Sequence, residues 1–196
     1  MKTLKYIFAV QLLALVSISC SSDDDSVPAP INEEEVITTM TVTLTPSGGL
    51  PVVTLQSQDL DGDGPDAPVV TVSGNLLANT SYAGTVELLN ETESPAESIN
   101  EEIEEEAADH QFFFQNSGSL NLTTTYADME SDYTTEGGTN PVGINFTVLT
   151  GNASSGSYTV TLRHEPNKDA ANVSDGDITN AAGETDFVQT FNVTIQ

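Results

Sequence analysis

Asp59, Asp61 and Asp63 lie two residues apart, with Gly64 and then Asp66 behind them, and they are the chain's most concentrated cation-binding pattern. Alternate spacing with a glycine after the third carboxylate lets short side chains converge their oxygens on a hard cation, as calcium loops do. The far end of the pattern departs from an EF-hand. Its twelfth position, where a bidentate glutamate would close the loop, is Val70, and Asp66 falls one place before the ninth. A turn rich in Gly, Pro and Asp between two strands accounts for the same residues without an ion, so both readings stand.

A second set surrounds the two histidines. His164 and Glu165, then Asp175, Asp177, Glu184 and Asp186, fall in or beside one long acidic connection before the last strand. A loop of about twenty residues in a compact sandwich is unusual and often functional. His110, after Asp109 and before Phe112-Phe113-Phe114, adds a nitrogen donor if the fold brings it near. Imidazole with carboxylate suits zinc or copper. No HxH or HxxxH spacing ties the histidines into one site, which favours a plain strand-end pairing of His164 with Glu165. The candidate metal ligands are therefore Asp59, Asp61, Asp63, Asp66, His164, Glu165, Asp175 and Asp177, with calcium or a transition metal as the cofactor. Arg163 and Lys168 are expected to hold loop carboxylates.

Catalysis has little material. There is one cysteine, there are two histidines, and no Gly-x-Ser-x-Gly elbow occurs. The expectation is a protein that is not an enzyme and has no catalytic residues.

The elements that must position these groups are strands. From Val36 onward, β-branched or aliphatic residues alternate with polar ones, as in Met40-Thr41-Val42-Thr43-Leu44-Thr45. Further strands are predicted over 52–57, 69–73, 82–89, 111–115, 119–126, 143–150, 157–164 and 187–195. The fold class that follows is all-β, an antiparallel β-sandwich of immunoglobulin-like or jelly-roll type with one short acidic helix and one long acidic loop; a barrel is second. The helix is predicted to start from a capping box at Ser94-Pro95-Ala96-Glu97, with Ile99, Ile103 and Ala107 as its buried stripe.

Thirty acidic residues against four basic ones give a formal charge of −26. A surface of that sign excludes nucleic acid as a partner, and it is repelled by anionic lipid, so any membrane association must come from an anchor.

The N-terminus supplies one. Lys2 and Lys5 precede an apolar run from Tyr6 to Val16, about 11 residues, which is signal-peptide anatomy. A membrane span needs about 20 residues. Ser17-Ile18-Ser19 then leads to Cys20, and the segment resembles a bacterial lipoprotein signal, with Ser17 where that class usually has leucine. Ser22-Asp23-Asp24-Asp25 resembles the surface-export signal of Bacteroidetes lipoproteins. The implied organisation is a signal peptide over 1–19, lipidation at Cys20, a flexible acidic tether over 20–35 and one domain over 36–196. The implied address is the cell surface, on the outer membrane.

The stretch Leu162 to Lys168, continued by Val173 to Asn180 and Gly183 to Asp186, with Val36 to Thr39 and the Asp59 to Asp66 turn, resembles a family of flavobacterial lipoproteins. That family carries the label "type 1 periplasmic binding fold superfamily protein", and the resemblance implies an address more than an activity. The label's fold needs strands alternating with helices around parallel sheets, whereas this pattern offers one helix. The expected role is a lipid-anchored binding or accessory module that captures a metal or nutrient, beside a TonB-dependent outer-membrane transporter. The alternative is a structural or adhesive module that contacts protein or surface glycan. Trp, a common sugar-binding platform, is absent.

Overall fold

The structure is a computed structural model, and it describes residues 35–62 and 64–196. Cys20 and the Ser22, Asp23, Asp24, Asp25 segment lie outside the described residues, as does Asp63.

Ten strands and one helix follow in chain order: β1 Thr39–Pro46, β2 Val53–Gln58, β3 Val69–Val72, β4 Ser81–Asn90, β5 Glu97–Ser98, α1 Asn100–Glu105, β6 His110–Gly118, β7 Leu122–Tyr126, β8 Asn145–Thr150, β9 Ser154–His164 and β10 Glu184–Ile195. The larger sheet runs β3-β2-β1-β4-β8-β7, with β5 on β4; the smaller runs β10-β9-β6. Every strand pair is antiparallel. The fold is the expected all-β antiparallel sandwich with one short helix.

Alternation explains the layers. In β1 the side chains of Met40, Val42 and Leu44 are buried, and in β4 those of Tyr82, Val86 and Leu88. Across the core, Phe112 of β6, Tyr158, Val160 and Leu162 of β9, and Phe191 and Val193 of β10 line the smaller sheet. Gly84 sits opposite Phe146, whose ring would lie 2.3 Å from any Cβ there, so the glycine makes room for the ring.

Two expectations need correction. The helix starts at Asn100, with Ile99 as its cap residue, and the Ser94 capping box does not form. The physical reason is competition from the sheet edge. Glu97 and Ser98 pair with β4, and the Asn100 side chain takes the Val86 carbonyl and the Leu88 amide. The stripe itself holds, with Ile99, Ile103 and Ala107 buried. Arg163 donates to Thr185 Oγ1 and the Ala182 carbonyl instead of to a loop carboxylate.

The long connection between β9 and β10 is ordered around its own small core. Val173 and Ala181 pack on Phe113, which points to the face of β6 away from the main core. That cover explains why His110, Gln111, Phe112 and Phe113 are all buried and break the alternation. Lys168 pins the loop underneath: its Nζ donates to the Ala107 carbonyl at 2.6 Å and to the Pro141 carbonyl at 3.1 Å, and pairs with Glu130 at 3.0 Å. Among the described residues no helix is long and apolar enough to cross a membrane.

Candidate functional site

The inward-facing rows of the smaller sheet end in histidines. His110, Phe112 and Phe114 alternate along β6; Tyr158, Val160, Leu162 and His164 alternate along β9. His110 and His164 are direct cross-strand partners, and their rings stack with centroids 4.7 Å apart and planes within 5°. Neighbouring strands lie close enough for such pairs to touch. Both side chains are buried, His110 completely.

Two carboxylates and one backbone carbonyl close around His110. Glu35, just before β1, places Oε1 at 3.4 Å from His110 Nε2. Asp186 comes from β10, where the register slips between Thr185 and Phe187. This bulge frees Asp186 from strand alternation, and its Oδ2 reaches 4.0 Å from the same Nε2. Glu106 ends α1, and its carbonyl lies 3.2 Å from His110 Nδ1. Ligand atoms of Glu35, His110 and Asp186 all lie within 4.8 Å of one another, as do those of Glu106, His110 and His164.

The tautomer follows from the partners. A carbonyl oxygen only accepts, so His110 Nδ1 carries a proton and donates it to Glu106. Nε2 then faces two carboxylates. Neither contact is a formed hydrogen bond, and His110 Nε2 and Asp186 Oδ2 are buried polar atoms with no hydrogen-bond partner among the described residues. A neutral ring would aim its lone pair at two anions, so Nε2 calls for a proton or a cation. Metal-bound histidines commonly donate their other ring N–H to a carbonyl in this way.

The electrostatics carry the same imbalance. Burial lowers the His110 pKa, but Glu35, the Glu106 carbonyl and Asp186 outweigh it and leave a net rise. His110 holds the Glu35 carboxyl below its usual range. Asp186 is pushed up to about 6, by burial first and then by Glu35. One imidazole faces two buried carboxylates, and a divalent cation would correct the deficit.

Of the candidate ligands among the described residues, only His164 belongs to this cluster. Glu165 turns away with φ +47, its amide bonded to the Asp109 carbonyl. Asp177 caps the short helical turn Ile178–Asn180 by accepting from the Thr179 amide, which lowers its pKa. Asp175 lines a small cleft with Phe114, Thr124, Tyr126 and Gly176, away from the histidine cluster. In the acidic turn, Asp59 and Asp61 are neighbours; burial and then Asp61 raise the Asp59 pKa. Asp61 accepts the Asp66 amide within its own turn, and no third carboxylate converges there among the described residues.

Glu35 and Glu106 are the members of the cluster that residue spacing did not reveal. Each is one acid in an acidic run, singled out only by tertiary contact. His110 had a usable signal, since it stands two residues before Phe112 as His164 stands two after Leu162. No family model, curated protein or solved structure matches the chain.

Proposed function

We propose that this chain is a lipid-anchored protein of the cell envelope, tethered through Cys20 and displayed on the outer-membrane surface, that captures a divalent transition-metal ion without catalysing a reaction. The observation that carries the reading is His110 Nε2, buried and without a hydrogen-bond partner among the described residues while two carboxylates converge on it. His110, Glu35 and Asp186 would hold the ion, His164 would buttress the His110 ring, and the Glu106 carbonyl would orient it. An imidazole with two carboxylates suits zinc or copper, whereas calcium prefers an all-oxygen shell. The address rests on the resemblance of the first twenty-five residues to a lipoprotein signal. A neighbouring outer-membrane transporter is the partner that would receive the ion.

The test is calorimetric titration of the chain from Ser21 onward, which keeps Glu35 and lacks the lipid site. Zinc or copper should bind one to one, and His110→Ala should abolish that binding. Equal binding by the variant would overturn the reading.

The adhesive alternative draws on the edge of β3, where Val69 and Val70 are exposed together with Leu60 in the preceding turn. An unpaired edge with apolar side chains accepts an added strand. Capture of a protein or glycan that survives mutation of both Val69 and Val70 to Lys would remove that reading.

A further inference from the structure

The smaller sheet ends at β10, whose outer edge is covered over only part of its length. At the far end the chain itself extends the sheet. Leu76 forms a parallel bridge with Ile195, its amide donating to the Thr194 carbonyl at 2.8 Å and its carbonyl accepting the Gln196 amide at 2.9 Å. Thr194 and Gln196 therefore face the edge, and the two-residue period of an antiparallel ladder turns the backbone of Asn192, Thr190 and Val188 the same way. Among the described residues no strand pairs with that side of 188–192, and the Gln189 side chain takes only the Thr190 carbonyl. This stretch is about 14 Å of open edge, enough for roughly five residues of an added strand.

A cleft of about 390 Å³ lies beside it. Ile37, Pro68 and Phe187 give the cleft an apolar lining, and Val188 and Gln189 are its β10 wall next to the open edge. Glu35 and Asp59 also line it, and Asp59 is shared with a second cleft of about 280 Å³ that adds Asp61 and Asp66. No basic residue lines either one among the described residues. An apolar cleft bounded by carboxylates, beside an unpaired strand edge, selects an added strand that carries apolar and cationic side chains. A second copy of this chain does not fit, because a net charge of −26 repels another of the same sign.

We propose that the open stretch of β10 is a docking edge for an extended, lysine- or arginine-rich segment of another protein, which adds to the smaller sheet beside 188–192 and lays apolar side chains in the cleft. The backbone of β10 supplies the hydrogen bonds, and the carboxylates around the cleft choose the sign of the partner's charge. This docking needs no ion at the histidine cluster, and it uses a different edge from β3.

The probe is a short capped peptide of alternating lysine and valine, labelled with fluorescein and titrated by anisotropy with the chain from Ser21 onward after chelation. It should bind one to one, and at least about tenfold more tightly than its glutamate–valine counterpart, because like-charge contacts are penalised around the cleft. Methylating the peptide's backbone nitrogens keeps its charge and apolar side chains but removes every donor to β10, so affinity should fall at least about tenfold. In the protein, Thr190→Pro deletes one edge-facing amide, a change that edge strands tolerate, and should weaken the lysine–valine peptide about fivefold while the urea melt stays that of a folded domain. Val70→Pro, on the edge of β3, should leave the affinity unchanged. No binding of the lysine–valine peptide would overturn the proposal. Equal binding by the methylated peptide would overturn it whether or not Thr190→Pro folds, since charge attraction alone would then account for the complex. Loss of affinity at Val70→Pro in place of Thr190→Pro would overturn it by moving the added strand to β3.

Discussion

Replacing Lys168 with Met should unpin the connection that carries the protein's second small core. In the folded chain the buried ammonium satisfies three acceptors at once, the Ala107 and Pro141 carbonyls and the Glu130 carboxylate. Met fills much of the same volume but offers no donor, so Glu130 is left as an uncompensated charge that is 7 % exposed. Breaking a buried pair by removing one partner costs about 3–5 kcal/mol. In a domain of this size each kcal/mol lowers the melting temperature by about 2–4 °C, so a fall of about 6–20 °C is expected. The assay is a thermal or urea melt at pH 7 after chelation, which keeps metal binding out of the comparison. The double variant Lys168→Met with Glu130→Gln should recover most of the loss, because the glutamine carbonyl can still accept the Gly138 amide without a buried charge. A single variant within about 1 kcal/mol of wild type, or a double variant no better than the single, would refute the assignment of Lys168 as the loop's electrostatic pin.

Asp186 links the site to pH. Its carboxyl titrates at about 6 in the folded chain against a usual 3.8, so the folded state holds the extra proton in that interval and metal-free stability should fall as pH rises through it. Asp186→Asn should remove that slope and be relatively more stable at pH 7; identical urea-melt profiles from pH 4 to 7 would contradict this. Gly183→Ala places a Cβ 2.1 Å from the His164 carbonyl at a residue with φ +67, so it should cost more than about 1 kcal/mol and weaken zinc binding by displacing the end of β9; unchanged melts and titrations would count against it. Cys20→Ala should move the protein from the membrane fraction to the soluble one. Alanine at Asp23, Asp24 and Asp25 should leave it lipidated but shielded from protease on intact cells, and continued cleavage would sink the surface-export proposal.

Strands and site differ in how far local pattern reveals them. All nine strands read from alternation are present, and in most of them one face is buried, as Met40, Val42 and Leu44 are in β1, so that burial writes itself into the sequence with period two. β5 escapes notice because two residues are too short to show a period. The capping box at Ser94 satisfies every local rule for a helix start, yet pairing of Glu97 and Ser98 with β4 prevails. In β6 the Phe112-Phe113-Phe114 run hides the alternation that would have set His110 on the inner row with Phe112, since Phe113 is buried on the opposite face by the long loop. His110 and His164 are more than fifty residues apart and meet only through the β6–β9 register. Glu35 and Asp186 depend, respectively, on how the chain enters β1 and on a single-residue bulge in β10, and neither leaves a trace in composition.

Long-range ¹H–¹⁵N NMR of the histidine rings, recorded while zinc is added to the chain from Ser21 onward, tests the metal-capture claim most directly. The account predicts that His110 keeps its Nδ1 proton, hydrogen-bonded to the Glu106 carbonyl, while its Nε2 resonance moves to the metal-bound position at one equivalent of zinc. Zinc binding that leaves the His110 Nε2 resonance unmoved would contradict it, as would saturation without any zinc bound.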